Sequence, residues 1–362
     1  QGKDILSFSA GEPDFDTPQV VKDAAIKAIN EGKTKYTAVE GIKETKQAII
    51  NKLKKDHNLD YTLDKIVISN GAKHSLFNLA QTLIDEGDEV IIPSPYWVTY
   101  PELVVYSGGV PVFIETDEST EFKITAKQLK EKITPKTKIL MLNSPSNPTG
   151  SIYSKDELLA IGEVLKGTDI VVLSDEMYEK LIYKGKKFTA TAEVSPDMYN
   201  RTVTINGLSK SVAMTGWRFG YVACPNSALA KAMSKLQGQV TSNVNSMTQY
   251  AAIVALEGEA NKDIEMMRVE FEKRKDYAVK AINNISKLSC YDPDGAFYLF
   301  INIKKYSNDS MKFCADLLEN KGVALVPGLA FGMEGYVRLS FATSMKAIED
   351  GINRIKEFVE NR

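Results

Sequence analysis

DIVVLSDE, residues 169–176, is an apolar run that ends in a serine and two acidic residues. It has the length of a strand and lacks the polar alternation of a half-exposed strand, as is typical of strands covered on both faces. Similar runs occur between residues 65 and 225, namely KIVIS (65–69), DEVIIPSP (88–95), PVFIET (111–116), KILMLNSP (138–145), RTVTINGL (201–208) and RFGYVACP (218–225). Helical patterns separate them, so this part predicts an α/β fold with a mostly parallel, seven-stranded sheet covered by helices.

The segments on either side of this sheet predict a second, smaller α+β domain. Upstream, Thr17-Pro18 opens a helical pattern that ends at Gly32. Downstream, a charged helical segment is followed by the strand patterns GAFYLFINI (295–303), GVALVP (322–327) and GYVRLSFA (335–342) and by a last helix from Ser344. We therefore predict a large domain over residues 41–275 and a discontinuous small domain made of residues 1–40 and 276–362.

The charge balance indicates a small-molecule partner. The 362 residues include 45 Lys+Arg and 47 Asp+Glu, a net charge of -2, which leaves no basic surplus for binding nucleic acid. The apolar runs are far shorter than the roughly 20 residues that span a bilayer, so we expect no membrane partner. Residue 1 is Gln and no signal-peptide pattern follows, so we expect the printed sequence to begin inside the natural chain.

Cysteine and histidine are too sparse for a metal site or a disulfide framework. Cys224, Cys290 and Cys314 show no C-x-x-C spacing, and His57 and His74 show no metal-ligand spacing. We therefore expect free thiols in a reducing cytoplasm and no bound metal.

Polar and ionisable residues follow the predicted strands, where ligands of doubly wound sheets bind. These residues are SNGAK (69–73), PYW (95–97), NSPSNPTG (143–150), SDEMY (174–178) and NGLSK (206–210). No G-x-G-x-x-G, G-x-x-x-x-G-K-[ST] or G-x-S-x-G motif occurs, which counts against a nicotinamide dehydrogenase, a P-loop protein and a hydrolase.

Six ordered motifs carry a family resemblance: AGEPDFDTP (10–18), PYW (95–97), NPTG (147–150), SDEMY (174–178), GLSKSVAMTGWRFGY (207–221) and VRLS (337–340). With them the chain resembles the fold-type I pyridoxal-phosphate (PLP) enzymes, specifically the class I aminotransferases of the bacterial aspartate aminotransferase branch. The match runs from about residue 7 to about residue 345. It implies the PLP fold-type I architecture, PLP as cofactor, and a homodimer with shared active sites.

The resemblance implies roles for the residues around the cofactor ring. Lys210 matches the amine that holds PLP as a Schiff base and then shuttles a proton. Asp175 matches the carboxylate that pairs with the protonated pyridine nitrogen. Tyr178 and Asn147 match the residues that hydrogen-bond the ring hydroxyl, and Trp97 matches the aromatic residue stacked on the ring. The resemblance thus makes Lys210, Asp175 and Tyr178 the catalytic residues.

The phosphate group of the cofactor requires amide donors and cations. The resemblance places these at the start of the predicted helix after residue 71 and in the segment around Lys210. The matching residues are Ala72, Lys73, Ser209 and Arg218, with Tyr36 reaching the phosphate of the neighbouring subunit. Gly207 departs from the family pattern, because many members carry a serine three positions before the lysine.

The substrate residues follow from the same resemblance. Arg338 lies in an otherwise apolar strand, an expensive placement without an anion, and it matches the residue that binds the substrate α-carboxylate. Asn147 and the backbone of Gly11 assist it, and Trp97 lies beside the substrate. Lys73 matches a lysine that faces the distal carboxylate in this branch, although a solvated or phosphate-bound lysine is the alternative interpretation.

The sequence therefore predicts a cytoplasmic, dimeric, PLP-dependent aminotransferase whose small-molecule partners are an L-amino acid, expected to be aspartate or glutamate, and a 2-oxo acid such as 2-oxoglutarate. An aromatic amino acid or prephenate aminotransferase is the first alternative. A PLP-dependent β-lyase uses the same scaffold, and a PLP-binding regulatory protein without turnover is the alternative outside enzymes.

Overall fold

The strands and helices are described over residues 4–360 by a computed structural model. The strands are β1 (Leu6–Ser7), β2 (Ile66–Asn70), β3 (Glu89–Ser94), β4 (Val110–Glu115), β5 (Thr137–Asn143), β6 (Val171–Asp175), β7 (Thr202–Gly207), β8 (Phe219–Ala223), β9 (Ser289–Cys290), β10 (Tyr298–Asn302), β11 (Val323–Ala324), β12 (Val326–Pro327) and β13 (Tyr336–Ser340). The helices are α1 (Gln19–Asn30), α2 (Lys43–His57), α3 (Ala72–Leu83), α4 (Thr99–Tyr106), α5 (Ala126–Lys132), α6 (Lys155–Leu165), α7 (Pro196–Arg201), α8 (Ser227–Val240), α9 (Ser246–Glu257), α10 (Asn261–Asn283), α11 (Ser310–Lys321) and α12 (Met345–Glu360).

The seven predicted apolar runs form one sheet in the order β2-β8-β7-β6-β5-β3-β4. The strands from β7 to β4 run parallel, and β8 is antiparallel to both β7 and β2. The predicted fold class, a mostly parallel seven-stranded sheet with helices and a smaller domain, is therefore confirmed.

Helices cover both faces of this sheet. Neighbouring residues of β6 show it, because Val172 packs into an apolar cluster with α6, whereas Leu173 packs into a cluster with α3, α4 and α8 on the opposite face. Successive side chains of a strand point to opposite faces, so a sheet buried on both faces needs apolar residues at every position. This burial explains the continuous apolar runs of the sequence.

The smaller domain is built on an antiparallel sheet in the order β12-β13-β10-β9, and a short parallel pair of β1 and β11 lies beside it. Its apolar core includes side chains from β10, β13, α10, α11 and α12. Within residues 4–360, no helix combines the length and apolar character needed to cross a bilayer.

The packing of two helices differs from the predicted domain boundaries. Val21 and Ala25 of α1 pack in one cluster with residues of α2 and α9, on the large sheet. Met267 and Ile282 of α10 pack in the core of the small domain, whereas Ile264 near the start of the helix packs against the cluster on the large sheet. An amphipathic pattern predicts that one face of a helix packs on a hydrophobic core, but it does not say whether that core belongs to the large or the small domain. We propose boundaries before α1 and within the first two turns of α10 instead of at residues 40 and 275.

Candidate active site

A cavity of about 470 Å³ lies where the carboxyl ends of β5, β6 and β7 face the small domain. Every predicted site residue except Tyr36 lines it: Gly11, Ala72, Lys73, Trp97, Asn147, Asp175, Tyr178, Ser209, Lys210, Arg218 and Arg338. The structure thus brings together groups that are spread over more than 300 residues of sequence. The side chain of Tyr36 lies outside the cavity, and 91% of its surface is exposed.

Lys210 follows the end of β7, and its Nζ donates a hydrogen bond to the carbonyl oxygen of Gly11. Burial lowers the pKa of this amine to about 8, and the positive charges of Arg218 and Arg338 act in the same direction. An amine with that pKa is partly neutral near pH 8, so it can act as a nucleophile and carry a proton.

Asp175 is the last residue of β6 and is almost fully buried. Its Oδ2 accepts a 2.8 Å hydrogen bond from the hydroxyl of Tyr100, and its Oδ1 accepts one of 3.2 Å from the amide of Met177. Burial raises the pKa of this carboxyl above its ordinary value, although the hydrogen bonds and Lys210 oppose the rise. A buried carboxylate is costly, so this position favours a cationic ligand group against it.

Aromatic side chains form a wall of the cavity. The indole of Trp97 packs edge to face on Tyr100, with ring centroids 5.6 Å apart, and the Nζ of Lys73 lies 4.9 Å from the centre of the Trp97 ring. The buried hydroxyl of Tyr178 is 2.9 Å from the hydroxyl of Tyr298. A flat apolar face beside hydroxyl groups suits an aromatic ring that carries polar substituents.

The start of α3 and Arg218 form an anion-binding corner. The first helical amides have no acceptor inside their own helix, so those of Ala72 and Lys73 are available to a ligand. Arg218 has a left-handed backbone, with φ at 55°, and its Nη1 donates a 2.8 Å hydrogen bond to the carbonyl oxygen of Thr215. Gly71 has φ at 81°, and a Cβ there would collide with the Arg218 guanidinium, so only glycine fits.

Gly207, the departure from the family pattern, has a packing reason. It lies opposite Gly220 in the β7–β8 pair, and a Cβ on Gly207 would lie 2.6 Å from the carbonyl oxygen of Phe219. A serine at this position therefore requires the two strands to move apart, and the side-chain donor on this loop is Ser209.

Arg338 of β13 is buried, with 7% of its surface exposed. Its Nη1 donates a 3.0 Å hydrogen bond to Asn147 Oδ1, and its Nη2 donates one of 2.9 Å to the carbonyl oxygen of Ser9. The rings of Tyr298 and Phe331 lie 4.4 Å and 4.9 Å from the guanidinium carbon. No carboxylate pairs with it within residues 4–360, and its Nε has no hydrogen-bond partner there, so the charge can bind an anion that enters the cavity.

Eight residues that line the cavity were given no role by the sequence analysis, among them Tyr100, Asn143, Tyr298 and Phe331. Asn143 could have been found from sequence, because it is a polar residue at the end of a predicted strand. Its Oδ1 accepts a 2.8 Å hydrogen bond from the backbone amide of Asn147. The three aromatic residues lie in apolar patterns that are indistinguishable from ordinary core. Only the tertiary structure turns them toward the site.

These residues fit the chemical groups of PLP. The anion-binding corner offers amide, hydroxyl and guanidinium donors to a phosphate, and the buried Asp175 carboxylate offers a partner to a protonated ring nitrogen. Trp97 supplies a flat surface, and Lys210 supplies an amine of lowered pKa. The cavity residues therefore provide a partner for the phosphate, the ring nitrogen, the ring face and the aldehyde of PLP.

Comparisons with known proteins agree with this chemistry. The profile of the family described as "Aminotransferase class I and II" matches residues 3–355. The chain is 50% identical to an aspartate aminotransferase of Geobacillus stearothermophilus, over 100% of this chain and 93% of that protein. It is 46% identical to an aspartate/prephenate aminotransferase of Nitrosomonas europaea, over 98% and 92% of the two chains. The crystal structure of an aspartate aminotransferase from Rhizobium meliloti superimposes with a TM-score of 0.96 at 42% identity, covering 99% of this chain and 92% of that one.

Proposed function

The chain belongs to the class I and II aminotransferase family, and on this premise we propose that it transfers an amino group between L-aspartate or L-glutamate and a 2-oxo acid such as 2-oxoglutarate. PLP-dependent transamination follows from the family, so the resemblance drawn from the six motifs is confirmed. The β-lyase, the regulatory protein and the dehydrogenase are not favoured.

The preference for a dicarboxylic substrate rests on the placement of Lys73. Its ammonium lies over the Trp97 ring in the cavity that Arg338 also lines, and no carboxylate of residues 4–360 forms an ion pair with it. A substrate whose α-carboxylate binds Arg338 leaves its side chain free to meet a second cation. Lys73 serves that purpose, because a lysine binds a carboxylate as a point charge without demanding one orientation.

The cofactor assignments belong to the same proposal. The backbone amides of Ala72 and Lys73, with Ser209 and Arg218, would hold the phosphate, Asp175 would hold the ring nitrogen, and Trp97 would cover the ring face. Tyr178 and Asn147 donate hydrogen bonds to the ring hydroxyl. When bound, PLP supplies a carbonyl that condenses with amines and a protonated ring that withdraws electrons.

Lys210 has two roles in the proposed mechanism. Its amine is the group that would hold the cofactor covalently between turnovers, and it would be released when the amine of an amino acid takes its place. The freed Nζ would take the proton from the substrate α-carbon and return it to the cofactor carbon two atoms away, beyond the transferred nitrogen, which is general acid–base catalysis by a group of suitable pKa. Arg338 and Asn147 keep the α-carboxylate fixed during this transfer, so the breaking C–H bond stays within reach of Nζ.

Tyr36 extends the proposal to a homodimer with composite sites. Its exposed side chain is free to reach the phosphate of a neighbouring subunit. An isologous dimer gives each of its two sites one such contact.

A cytoplasmic location is also proposed. Cys224, Cys290 and Cys314 are all free thiols in the structure, as a reducing compartment permits.

A half-reaction screen tests the substrate class. The PLP-loaded protein is mixed with single amino acids, and the visible absorbance of the cofactor is followed as it is converted to the amine form. We expect aspartate and glutamate to react fastest, and 2-oxoglutarate to restore the spectrum. Alanine and phenylalanine are the comparison amino acids, and a faster reaction with either of them refutes the dicarboxylate preference. Prephenate, an oxo acid, is compared with 2-oxoglutarate in the reverse half-reaction.

Borohydride reduction followed by peptide mapping tests the attachment point. The pyridoxyl group is expected on Lys210, and its recovery on another lysine refutes the mechanism.

A further inference from the structure

Tyr298 is the first residue of β10, and its side chain reaches the cavity although only 1% of its surface is exposed. β10 pairs with β13 so that Phe300 is opposite Arg338 and Tyr298 is opposite Ser340. Because side chains alternate along a strand, Tyr298, Phe300 and Arg338 lie on the same face of the small sheet. This register brings the Tyr298 ring against the Arg338 guanidinium.

Two contacts of Tyr298 join opposite parts of the site. Its ring lies 4.4 Å from the guanidinium carbon of Arg338, and its hydroxyl is 2.9 Å from that of Tyr178. The ring of Phe331 lies 4.9 Å from the same guanidinium carbon, so two aromatic rings pack on this group. Tyr298 thus touches both the residue assigned to the substrate carboxylate and a residue assigned to the cofactor ring.

The protons on the two hydroxyls decide which of Tyr178 and Tyr298 donates the hydrogen bond between them. Burial raises the pKa of both Tyr178 and Tyr298, so both hydroxyls keep their protons at neutral pH. Within residues 4–360, neither hydroxyl has another hydrogen-bond partner, so one donates to the other and the acceptor keeps a free O–H. If Tyr178 donates to the ring hydroxyl of PLP, Tyr298 must be the donor within the pair.

We propose that Tyr298 is a positioning residue that couples the carboxylate-binding Arg338 to the cofactor-binding Tyr178. This inference rests on the proposed function. The ring of Tyr298 fixes the plane of the guanidinium through a cation–π contact. Its hydroxyl donates to Tyr178 and makes the O–H of Tyr178 a stronger donor, because hydrogen bonds in a chain polarise one another.

The test uses the PLP-loaded dimer and the variants Tyr298→Phe, Tyr298→Leu and Tyr178→Phe, with the double variant Tyr178→Phe/Tyr298→Phe. Tyr183→Phe is the matched control, because Tyr183 is also fully buried and, among residues 4–360, its hydroxyl bonds only to the carbonyl oxygen of Ala296, which does not line the cavity. The first readout is the pH midpoint of the visible absorbance change of the cofactor. The second is the dissociation constant of succinate, a non-reacting dicarboxylate, by titration calorimetry. The other charged groups of the cavity stay in place in the Tyr298 and control variants: Lys73, Asp175, Lys210, Arg218 and Arg338.

We expect Tyr298→Phe to raise the pH midpoint of the absorbance change. The acid dissociation constant of the chromophore should fall about two- to tenfold, because the hydrogen bond that Tyr178 donates to the ring hydroxyl is weakened. In the Tyr178→Phe background the same change has no further effect. Tyr298→Phe keeps the ring and binds succinate within about threefold of the parent, whereas Tyr298→Leu weakens succinate about tenfold or more. Tyr183→Phe leaves both readouts unchanged.

Four results overturn the inference or one of its parts. A Tyr298→Phe midpoint equal to that of the parent, or an equal change in the Tyr178→Phe background, removes the hydroxyl coupling. Equal succinate binding by the Phe and Leu variants removes the role of the ring. If the parent protein shows no cofactor absorbance, the proposed function and this inference both fail. If the parent titrates normally and Tyr298→Phe has the same pH midpoint, only the role of Tyr298 fails.

Discussion

Arg338 Nη1 donates a 3.0 Å hydrogen bond to Asn147 Oδ1, and this contact joins β13 of the small sheet to the loop after β5 of the large sheet. The two domains therefore share polar contacts inside the cavity, of which this is one, beside the Tyr178–Tyr298 hydroxyl contact and the hydrogen bond of Lys210 to Gly11. A carboxylate bound to Arg338 is held by groups of both domains, so binding and interdomain geometry are linked.

The pKa of Lys210 sets the pH dependence of cofactor uptake by the apoprotein. The folded-state pKa is lowered to about 8 by burial, so the neutral, reactive amine increases as pH rises and dominates above that value. We expect the rate of PLP uptake, followed by absorbance, to rise about tenfold per pH unit below pH 8 and to level off above about pH 9. N-acetyl-lysine, with an ordinary pKa near 10.4, is the control and should keep gaining rate. An apoprotein rate that still rises at pH 10 would contradict the assignment.

Replacing Asp175 should separate folding from chemistry. We expect Asp175→Ala to fold, to bind PLP weakly and to transaminate at least about 10³-fold more slowly, equivalent to ~4 kcal/mol, because the ring nitrogen loses its partner. Tyr100→Phe is the matched variant, because it removes only the hydroxyl that donates to Asp175, and we expect a loss of about tenfold or less. Steady-state kinetics check both, and activity of Asp175→Ala within tenfold of the parent is the contrary result.

Lys73 should matter for acidic substrates only. We expect Lys73→Ala to lower kcat/KM for aspartate about 10- to 100-fold, or about 1.5 to 3 kcal/mol for a charge-assisted hydrogen bond. Alanine as substrate is the internal control and should change by less than about threefold. Equal losses for both substrates would assign the Lys73 side chain to the phosphate instead.

Tyr36 should act across a subunit interface. We expect light scattering to report a dimer at assay concentration, and Tyr36→Phe to weaken PLP binding about tenfold through loss of one hydrogen bond to a charged group. Tyr106→Phe is the control, since Tyr106 is another exposed tyrosine, with no proposed role. An active monomer, or unchanged PLP affinity of Tyr36→Phe, would refute the composite site.

His57, which does not line the cavity, should make stability depend on pH. Its ring nitrogens lie 3.1 Å from Glu179 and 3.0 Å from Glu193. Burial alone lowers the pKa of His57, but these carboxylates outweigh it and raise the pKa to about 9. A raised folded-state pKa gives stability that is complete below the unfolded value near 6.5 and is lost as pH rises through 9.

We therefore expect the unfolding free energy of the parent to exceed that of His57→Gln by an amount that shrinks by about 1 to 3 kcal/mol from pH 6.5 to 9. Urea unfolding of the apoproteins at several pH values measures it. A difference that does not vary with pH would contradict the charged state of His57.

The apolar runs of the large sheet determine the fold class by themselves. A strand buried on both faces must be apolar throughout, and the residues after such strands must lie at one edge, so SDEMY and NGLSK could be placed beside each other from sequence. The same pattern indicates Lys210, Asp175 and Arg338 as candidate site residues. A charged group inside an apolar strand, or at its end, is costly without a partner.

Only the tertiary structure decided which core each amphipathic helix packs on and which aromatic residues enter the site. The apolar stripe of α1 fits either domain, and its packing on α9 depends on surfaces distant in sequence. Tyr298 in GAFYLF has the pattern of a core residue, and its contact with Arg338 depends on the register between β10 and β13. Register and helix docking are set by long-range packing, which local sequence patterns do not encode.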